Sequence, residues 1–354
     1  GGELLASLRW LAQYTHAPLG EVLATALPAL LRAGQPPPET RAYAWTLATG
    51  ADPSRLRANT RPRRLAEFLT AGPVSEDRLD TVFEEWRSVA RALAKRDIAA
   101  RIPLLAPEPV HDDPLAPVLN NEQDAALAAL RAGQGFRALL LEGVTGSGKT
   151  EVYLQAIRDC LQAGKQALVL VPEIGLTPQT LARFRARLGV PVHAMHSGLA
   201  DGARARAWTA MARGEARVLV GTRSAIFTPL PEAGLIVIDE EHDGSYKQQD
   251  GIRYHARDFA LVRAKALAIP ILLGSATPSL ESLHNAIAGR YTHLRLAQRA
   301  GGAKAPRVRV LDVRKRLLTH GLSQDLFDGI AACLARGEQA LVFKNRRGYA
   351  PVLL

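Results

Sequence analysis

Hydrophobic positions along the 354-residue chain follow two different periods. From residue 3 to 33 they recur at helical spacing (Leu4, Leu5, Leu8, Leu11), with breaks at Pro18 and Pro28, and Gln35-Pro36-Pro37-Pro38 reads as a linker. From about 40 to 105 the period stays helical and Arg-rich, with a turn at Gly72-Pro73 and a helix cap at Ser75. The proline-rich stretch 104–117, with the adjacent acids Asp112 and Asp113, predicts a domain boundary. Beyond it, short branched apolar runs alternate with helical patterns: Ala138–Leu141, Ala167–Val171, Val192–Met195, Val218–Val220, Leu235–Ile238 and Ile271–Leu273. Continuous apolar runs of that length mark strands buried on both faces, so an α/β fold with a mostly parallel sheet is expected. The helix after the first run has apolar positions at Val152, Ala156, Ile157, Cys160 and Leu161 and stops at Gly164. After Arg299, Gly301-Gly302-Ala303-Lys304 reads as a linker, followed by a helix over 322–336 and a strand at Ala340–Phe343 that runs into Lys344-Asn345-Arg346-Arg347-Gly348-Tyr349. No internal repeat is present.

Composition narrows the class only partly. With 47% hydrophobic residues the chain can bury at least one large core, and its length suits two or three domains. A net charge of +11 would attract a polyanion such as nucleic acid, but an Arg- and Ala-rich composition raises the charge of other proteins too. No apolar run approaches the ~20 residues of a membrane span and no opening series reads as a signal peptide, so a cytoplasmic protein without membrane contact is expected. Cys160 and Cys333 lie in apolar helical patterns and not in a Cys-x-x-Cys pair, and both are expected in a core. The chain opens on Gly1-Gly2 without methionine and stops at Val352-Leu353-Leu354, which reads as a cut at both ends.

Chemistry enters at Gly143-Val144-Thr145-Gly146-Ser147-Gly148-Lys149-Thr150, which fits the P-loop pattern and lies between a strand and a helix. In that pattern backbone N–H groups and the helix N-terminus face phosphates, Lys149 reaches the β and γ phosphates, and the Thr150 hydroxyl coordinates Mg²⁺. A dinucleotide fingerprint is excluded, because no third glycine follows Gly148 at the required spacing. The run Leu235–Ile238 ends in Asp239-Glu240-Glu241-His242, which sets the carboxylate pair Asp239 and Glu240 at a strand's carboxyl end, where ligands bind in such sheets. An acidic loop after a strand is common by itself. Beside a P-loop, Asp239 is suited to hold Mg²⁺ and Glu240 to deprotonate the attacking water. His242 either senses the γ-phosphate or satisfies a core hydrogen bond. Gly274-Ser275-Ala276-Thr277-Pro278 offers two hydroxyls at the same sheet edge. His196-Ser197 is not a nucleophile pair, since adjacent residues on a turn rarely face each other.

P-loop, Asp-Glu-Glu-His and Ser-Ala-Thr in this order resemble superfamily 2 helicases, in which Ser275 and Thr277 would couple hydrolysis to strand movement. Further segments sharpen the likeness: Asn120-Asn121-Glu122-Gln123, Val171-Pro172-Glu173-Ile174, His196-Ser197-Gly198-Leu199, Gly221-Thr222-Arg223-Ser224-Ala225, Tyr246-Lys247-Gln248-Gln249 and Arg253-Tyr254-His255-Ala256-Arg257-Asp258. Over nearly its whole length the chain resembles the PriA family of bacterial replication restart helicases. The resemblance implies ATP and Mg²⁺ as cofactors, Gln123 as reader of adenine, and Thr222, Arg223 and Ser224 as holders of the DNA backbone. It also implies an aromatic-rich loop coupling DNA to hydrolysis through Tyr246, Lys247, Arg253, Tyr254 and Arg257, with Ile252 where some relatives carry an aromatic residue. Stacking of aromatic faces on unpaired bases, with Lys and Arg on phosphates, is a plausible physical basis for such a loop.

By the same resemblance residues 1–38 are the tail of an N-terminal DNA-binding domain plus linker, 39–108 a winged-helix-like domain, 109–300 the first, ATP-binding helicase lobe, and 301–354 the start of a second. The implied activity is three-prime to five-prime unwinding of forked DNA with primosome proteins and single-stranded DNA-binding protein as partners. The family's zinc-binding insertion and its completing arginine would follow later, so no zinc ligand is expected in this chain. Loss of an arginine finger costs ~10³ to 10⁵ in turnover, so the chain alone is expected to bind ATP and hydrolyse it very slowly. Two other readings of the residues stay open: a nucleic-acid translocase that does not unwind, and a DNA-binding scaffold whose nucleotide only changes its shape. Transport ATPases and kinases are disfavoured, because no Leu-Ser-Gly-Gly-Gln signature appears and Ser-Ala-Thr would have no role.

Overall fold

The computed structural model describes residues 2–40, 43–83, 85–103, 117–299 and 307–343. Most of the boundary segment 104–117, the linker 301–304 and Lys344–Tyr349 lie outside the described residues. The chain divides into two compact units, one up to residue 303 and one from residue 304 on.

In the first unit, helices α1 (Gly2–Thr15), α2 (Leu19–Ala26) and α3 (Ala29–Arg32) break where the prolines require it, with Pro18 and Pro28 as the N-caps of the second and third. A small domain follows: β1 (Tyr43–Leu47), α4 (Arg61–Phe68), β2 (Val74–Ser75), α5 (Glu76–Val82), α6 (Trp86–Ala94) and β3 (Ala99–Pro103). Its strands form an antiparallel sheet in the order β2-β1-β3, and a core of Trp45, Leu65, Leu69, Leu79, Trp86 and Leu93 closes beneath it. This corrects the wholly helical reading of 40–105. Tyr43–Leu47 and Ala99–Pro103 become strands because they pair with each other along five residues, a contact no local pattern announces. Ser75 caps α5 as expected, accepting from the Arg78 N–H at 3.3 Å.

The larger domain alternates strand and helix: α7 (Asn121–Arg131), β4 (Arg137–Gly143), α8 (Lys149–Gln162), β5 (Gln166–Leu170), α9 (Pro178–Leu188), β6 (Val192–Met195), α10 (Asp201–Ala212), β7 (Val218–Gly221), β8 (Ala233–Ile238), α11 (Ala256–Ala266), β9 (Pro270–Ser275), α12 (Leu280–Ile287) and β10 (Thr292–Leu296). All seven strands are parallel, in the order β10-β4-β9-β8-β5-β7-β6. Alternate side chains feed two cores, as a strand's period of two demands. Leu140, Leu168, Leu170, Ile236, Ile238, Ile271 and Leu273 face one side and Leu139, Leu141, Val169, Val220, Val237 and Leu272 the other. The second side is covered by α7, α8 and α9, the first by α10 and α11 together with α1 and α2.

Helices α1 and α2, expected as the tail of a preceding domain, therefore share a core with the large sheet. Leu4, Leu8 and Leu11 are buried in it, and Trp10 stacks over Phe259 of α11 at 6.5 Å between ring centroids. Arg263 of α11 is fully buried; it pairs with Glu3 at 2.8 Å and donates to the Thr228 carbonyl.

The second unit has a short antiparallel hairpin, β11 (Leu318–Thr319) with β12 (Leu322–Ser323), and α13 (Gln324–Ala335), close to the helix expected over 322–336. The strand expected at Ala340–Phe343 is absent among the described residues, where no neighbouring strand offers it a ladder. Cys333 is only half-buried, which corrects its expected place in a core, whereas Cys160 is buried and its thiol is pushed up to about 12 by burial. No helix among the described residues is long and apolar enough to cross a membrane.

Candidate functional site

The site forms at the carboxyl ends of β4, β9 and β8, three adjacent strands. Gly143 ends β4 in a space only glycine fits: a Cβ there would stand 2.5 Å from the Ser147 Oγ and 3.1 Å from Leu296. Gly146 and Gly148 take left-handed backbone angles (φ 80° and 85°), open to glycine at little cost. The turn they make delivers Lys149 and Thr150 into the first turn of α8, whose N-terminus no side chain caps. An uncapped helix N-terminus is an anion site. The Ser147 hydroxyl beside it is buried with no hydrogen-bond partner, so this loop holds a polar atom that the protein itself does not satisfy. Lys149 Nζ donates to the Gly143 carbonyl at 2.9 Å and lies 3.8 Å from Glu240 Oε1. Val144 and Thr145 are exposed at the tip of the loop.

The two carboxylates follow β8. The Asp239 N–H donates to the Leu170 carbonyl at 2.9 Å, continuing the sheet, and Glu240 then turns the chain through a left-handed conformation (φ 44°). A non-glycine residue there is strained and persists only where its surroundings hold it. The Glu241 N–H donates to the Gly274 carbonyl, and the Glu241 carboxylate, fully buried, accepts from the Ser279 N–H at 2.7 Å, from Ser282 Oγ at 2.8 Å and from Arg257 Nη1 at 3.0 Å. This network ties the acidic turn to α11 and α12. Burial pushes the Asp239 carboxyl up; the Tyr153 hydroxyl, 3.0 Å from its Oδ1, and the Lys149 ammonium pull it back without cancelling the rise. His242 meets both hydroxyls of the next motif: its Nδ1 is 2.7 Å from Ser275 Oγ and its Nε2 3.4 Å from Thr277 Oγ1. Residues 123, 143–150, 239, 240, 242, 275 and 277, spread over 155 positions, thus share one sheet edge.

Gln123 is engaged at both ends. Its Oε1 accepts from the Asn120 N–H at 3.0 Å and its Nε2 donates to the Ser147 carbonyl at 2.9 Å, so here it braces the P-loop and presents no free edge to a base.

The loop expected to stack on DNA bases is assembled differently. Tyr246 is fully buried and its hydroxyl donates to the Asp239 carbonyl at 2.6 Å; Tyr254 is buried with its ring edge-on to Phe227 at 4.9 Å. Rings enclosed on both faces cannot stack on a base, which corrects that role for both tyrosines. Arg257 is buried against Glu241 and Asp258 and is likewise closed to phosphate, and Thr222, directly after β7, is buried with its N–H donating to the Met195 carbonyl. Arg223 Nη1 donates to the carbonyls of Ser245 and Lys247 at 2.8 and 3.0 Å, holding the loop. Ile252 is buried too. Arg253 is exposed, while Lys247 and Ser224 are half-buried, and these three remain able to meet a nucleic acid. The sequence assigns no role to Tyr153, which belongs to no local motif, or to Gly274 and Glu241, which sit inside the runs Gly274–Pro278 and Asp239–His242; tertiary packing shows what these residues do beside Asp239.

Among the described residues no three His, Cys, Asp or Glu side chains group closely enough to hold a metal by themselves. Mg²⁺ needs no such cage: it takes one or two protein ligands, water and phosphate oxygens. Asp239 and Thr150, flanking an unpartnered hydroxyl and an open helix N-terminus, fit an ion carried in with a triphosphate.

Residues 120–286 match the family model described as DEAD/DEAH box helicase. A solved structure of RecG bound to a three-way DNA junction is 24% identical over 54% of this chain and 25% of that one, but a TM-score of 0.40 adds nothing to the assignment. Sequence relatives say more. The chain is 41% identical to the replication restart protein PriA of Haemophilus influenzae over 98% of its own length and 49% of that protein. To PriA of Bacillus subtilis it is 45% identical over 67% of its length and 30% of that protein. The chain spans about half the length, or less, of the curated relatives it matches. It belongs to the PriA family of replication restart proteins, of which it carries the DEAD/DEAH box helicase region.

Proposed function

We propose that this chain is the ATP-binding portion of an ATP-dependent, three-prime to five-prime DNA helicase that acts in bacterial replication restart. The carrying observation is the 3.8 Å approach of Lys149 Nζ to the Glu240 carboxylate at the mouth of an uncapped helix N-terminus, with Asp239 beside them. In this reading the P-loop amides and Lys149 bind the β and γ phosphates, and Thr150 and Asp239 hold Mg²⁺, which neutralises developing charge on the phosphates. Glu240, kept near Lys149 by its turned backbone, orients and deprotonates a water. His242, bridging Ser275 and Thr277, links the hydrolytic turn to β9 and α12, the natural route for a nucleotide-dependent shift. Gln123 communicates with the loop through the Ser147 carbonyl, and would read adenine only after releasing it.

DNA at a fork is the substrate of this reading, met by Ser224, Lys247 and Arg253. Residues 39–108 serve as a winged-helix-like module and residues 301–354 open a second lobe. Primosome proteins and single-stranded DNA-binding protein are the partners, and the bacterial cytoplasm is the place of action. The family relationship and the ordered motifs support each of these.

The test is Lys149→Ala. With circular dichroism unchanged, it should weaken Mg²⁺-dependent ATP binding on the order of 10²-fold, the scale of losing a desolvated charge contact. Binding equal to wild type would refute the motor reading. Abolished ATP binding with fork binding and fork-dependent assembly intact would favour a scaffold, and strand displacement by the full-length protein separates a helicase from a simple translocase.

A further inference from the structure

Asp239 is gripped by a residue that none of the motifs contains. Tyr153 lies one turn past the P-loop on α8, and its hydroxyl donates to Asp239 Oδ1 at 3.0 Å while its ring is 1% exposed. The berth for that hydroxyl is cut from β9: a Cβ on Gly274 would stand 1.6 Å from the Tyr153 oxygen and 2.7 Å from the ring carbon that bears it. Gly274 therefore leaves open a space that the tyrosine fills, although its φ lies outside the left-handed range and its backbone does not itself demand glycine. The hydroxyl has one proton to give, and it gives it to the carboxylate oxygen. The acid can then swing about its own bond only by abandoning a buried hydroxyl, which is costly.

Resting on the reading of this site as an Mg²⁺-triphosphate centre, we propose that Tyr153, seated against Gly274, is a positioning residue that fixes the rotamer of Asp239 and leaves Oδ2 as the oxygen directed to the metal side. Hydrogen-bonded carboxylate ligands bind metal more tightly than free ones, and loss of such a partner typically weakens metal affinity by ~10- to 100-fold. Tyr153 touches neither nucleotide nor water in this scheme and acts only through Asp239.

The experiment measures binding of a fluorescent ATP analogue to the intact chain, first in EDTA and then across an Mg²⁺ titration. In Tyr153→Phe the ring still fills its space, so binding in EDTA should match wild type. The Mg²⁺ concentration for half-maximal enhancement should rise about 10-fold. Gly274→Ala, which evicts the hydroxyl but keeps the residue, should shift Mg²⁺ dependence in the same direction, and carries the test if Tyr153→Phe does not fold. In an Asp239→Asn background Tyr153→Phe should add nothing, because the partner it orients is already altered. The proposal is overturned by an unchanged Mg²⁺ midpoint in both variants, by equal losses with and without Mg²⁺, or by a further loss in the Asp239→Asn background. Absence of any Mg²⁺ effect in wild type would instead sink the nucleotide-site reading itself.

Discussion

Single residues divide by whether their role is written in a contiguous run. The eight positions 143–150 are legible because a phosphate loop needs its glycines, lysine and hydroxyl in one fixed order, and Asp239-Glu240 is legible because it ends an apolar strand. Tyr246 and Tyr254 show the limit. Aromatic residues interleaved with Lys and Arg in a polar segment look like a stacking surface, yet both are enclosed by packing with Phe227 and the Asp239 turn, and nothing in the segment itself distinguishes the two outcomes. His255 in the same loop gives a residue-scale prediction. Burial holds its imidazole below the usual 6.5, against the pull of Asp258 and Glu241 and with help from Arg257 and Lys247, and its Nδ1 is buried without a partner. The folded protein therefore favours the neutral ring. Its contribution to stability is complete above about pH 6.5 and is lost as pH falls toward the depressed folded value. His255→Gln should flatten the fall in Tm between pH 7 and pH 5, and an unchanged slope would rule the residue out as its source.

Elements were legible where burial on both faces makes a strand uniformly apolar. Five of the six runs lengthen by a residue or two at one or both ends, or shift by one, and Val192–Met195 matches its run at both ends. The seventh strand, β10, escaped because it is an edge: polar Thr292, His293 and Arg295 interrupt its apolar run, and among the described residues its one neighbour is β4. In the small domain β1 and β3 escaped for a different reason, since Ala99-Ala100-Arg101 favours a helix locally and becomes a strand only when Tyr43–Leu47 is beside it. Docking of α1 is an element-scale claim that can be weighed. Glu3→Ala leaves the fully buried Arg263 without its counter-charge and should destabilise the chain by about 3 kcal/mol, whereas adding Arg263→Leu should recover part of the loss. Urea unfolding midpoints of the two variants decide it; a neutral single variant would mean that α1 is held by its leucines alone.

For the molecule as a whole, the charge of +11 becomes informative only together with the site. Arg253 stands exposed on the loop that Arg223 and Tyr246 hold against Asp239, so DNA contact there would be felt at the acid turn. Arg253→Ala should weaken single-stranded DNA binding similarly for all sequences and reduce the slope of log affinity against log salt by about one. An undiminished slope would remove Arg253 from the interface. The docking of α1 onto α11 also bears on how the protein is made. Glu3 waits for an arginine 260 positions downstream, and at about 5–20 residues per second the ribosome needs on the order of tens of seconds to supply it. Until the strands that share their core have emerged, Leu4, Leu8 and Leu11 lack the sheet that buries them in the folded protein, so the nascent chain carries a greasy helix in search of shelter. Expression at lower temperature or with added holdase chaperones should therefore raise the soluble yield more than it would for a variant whose first helix has been made polar.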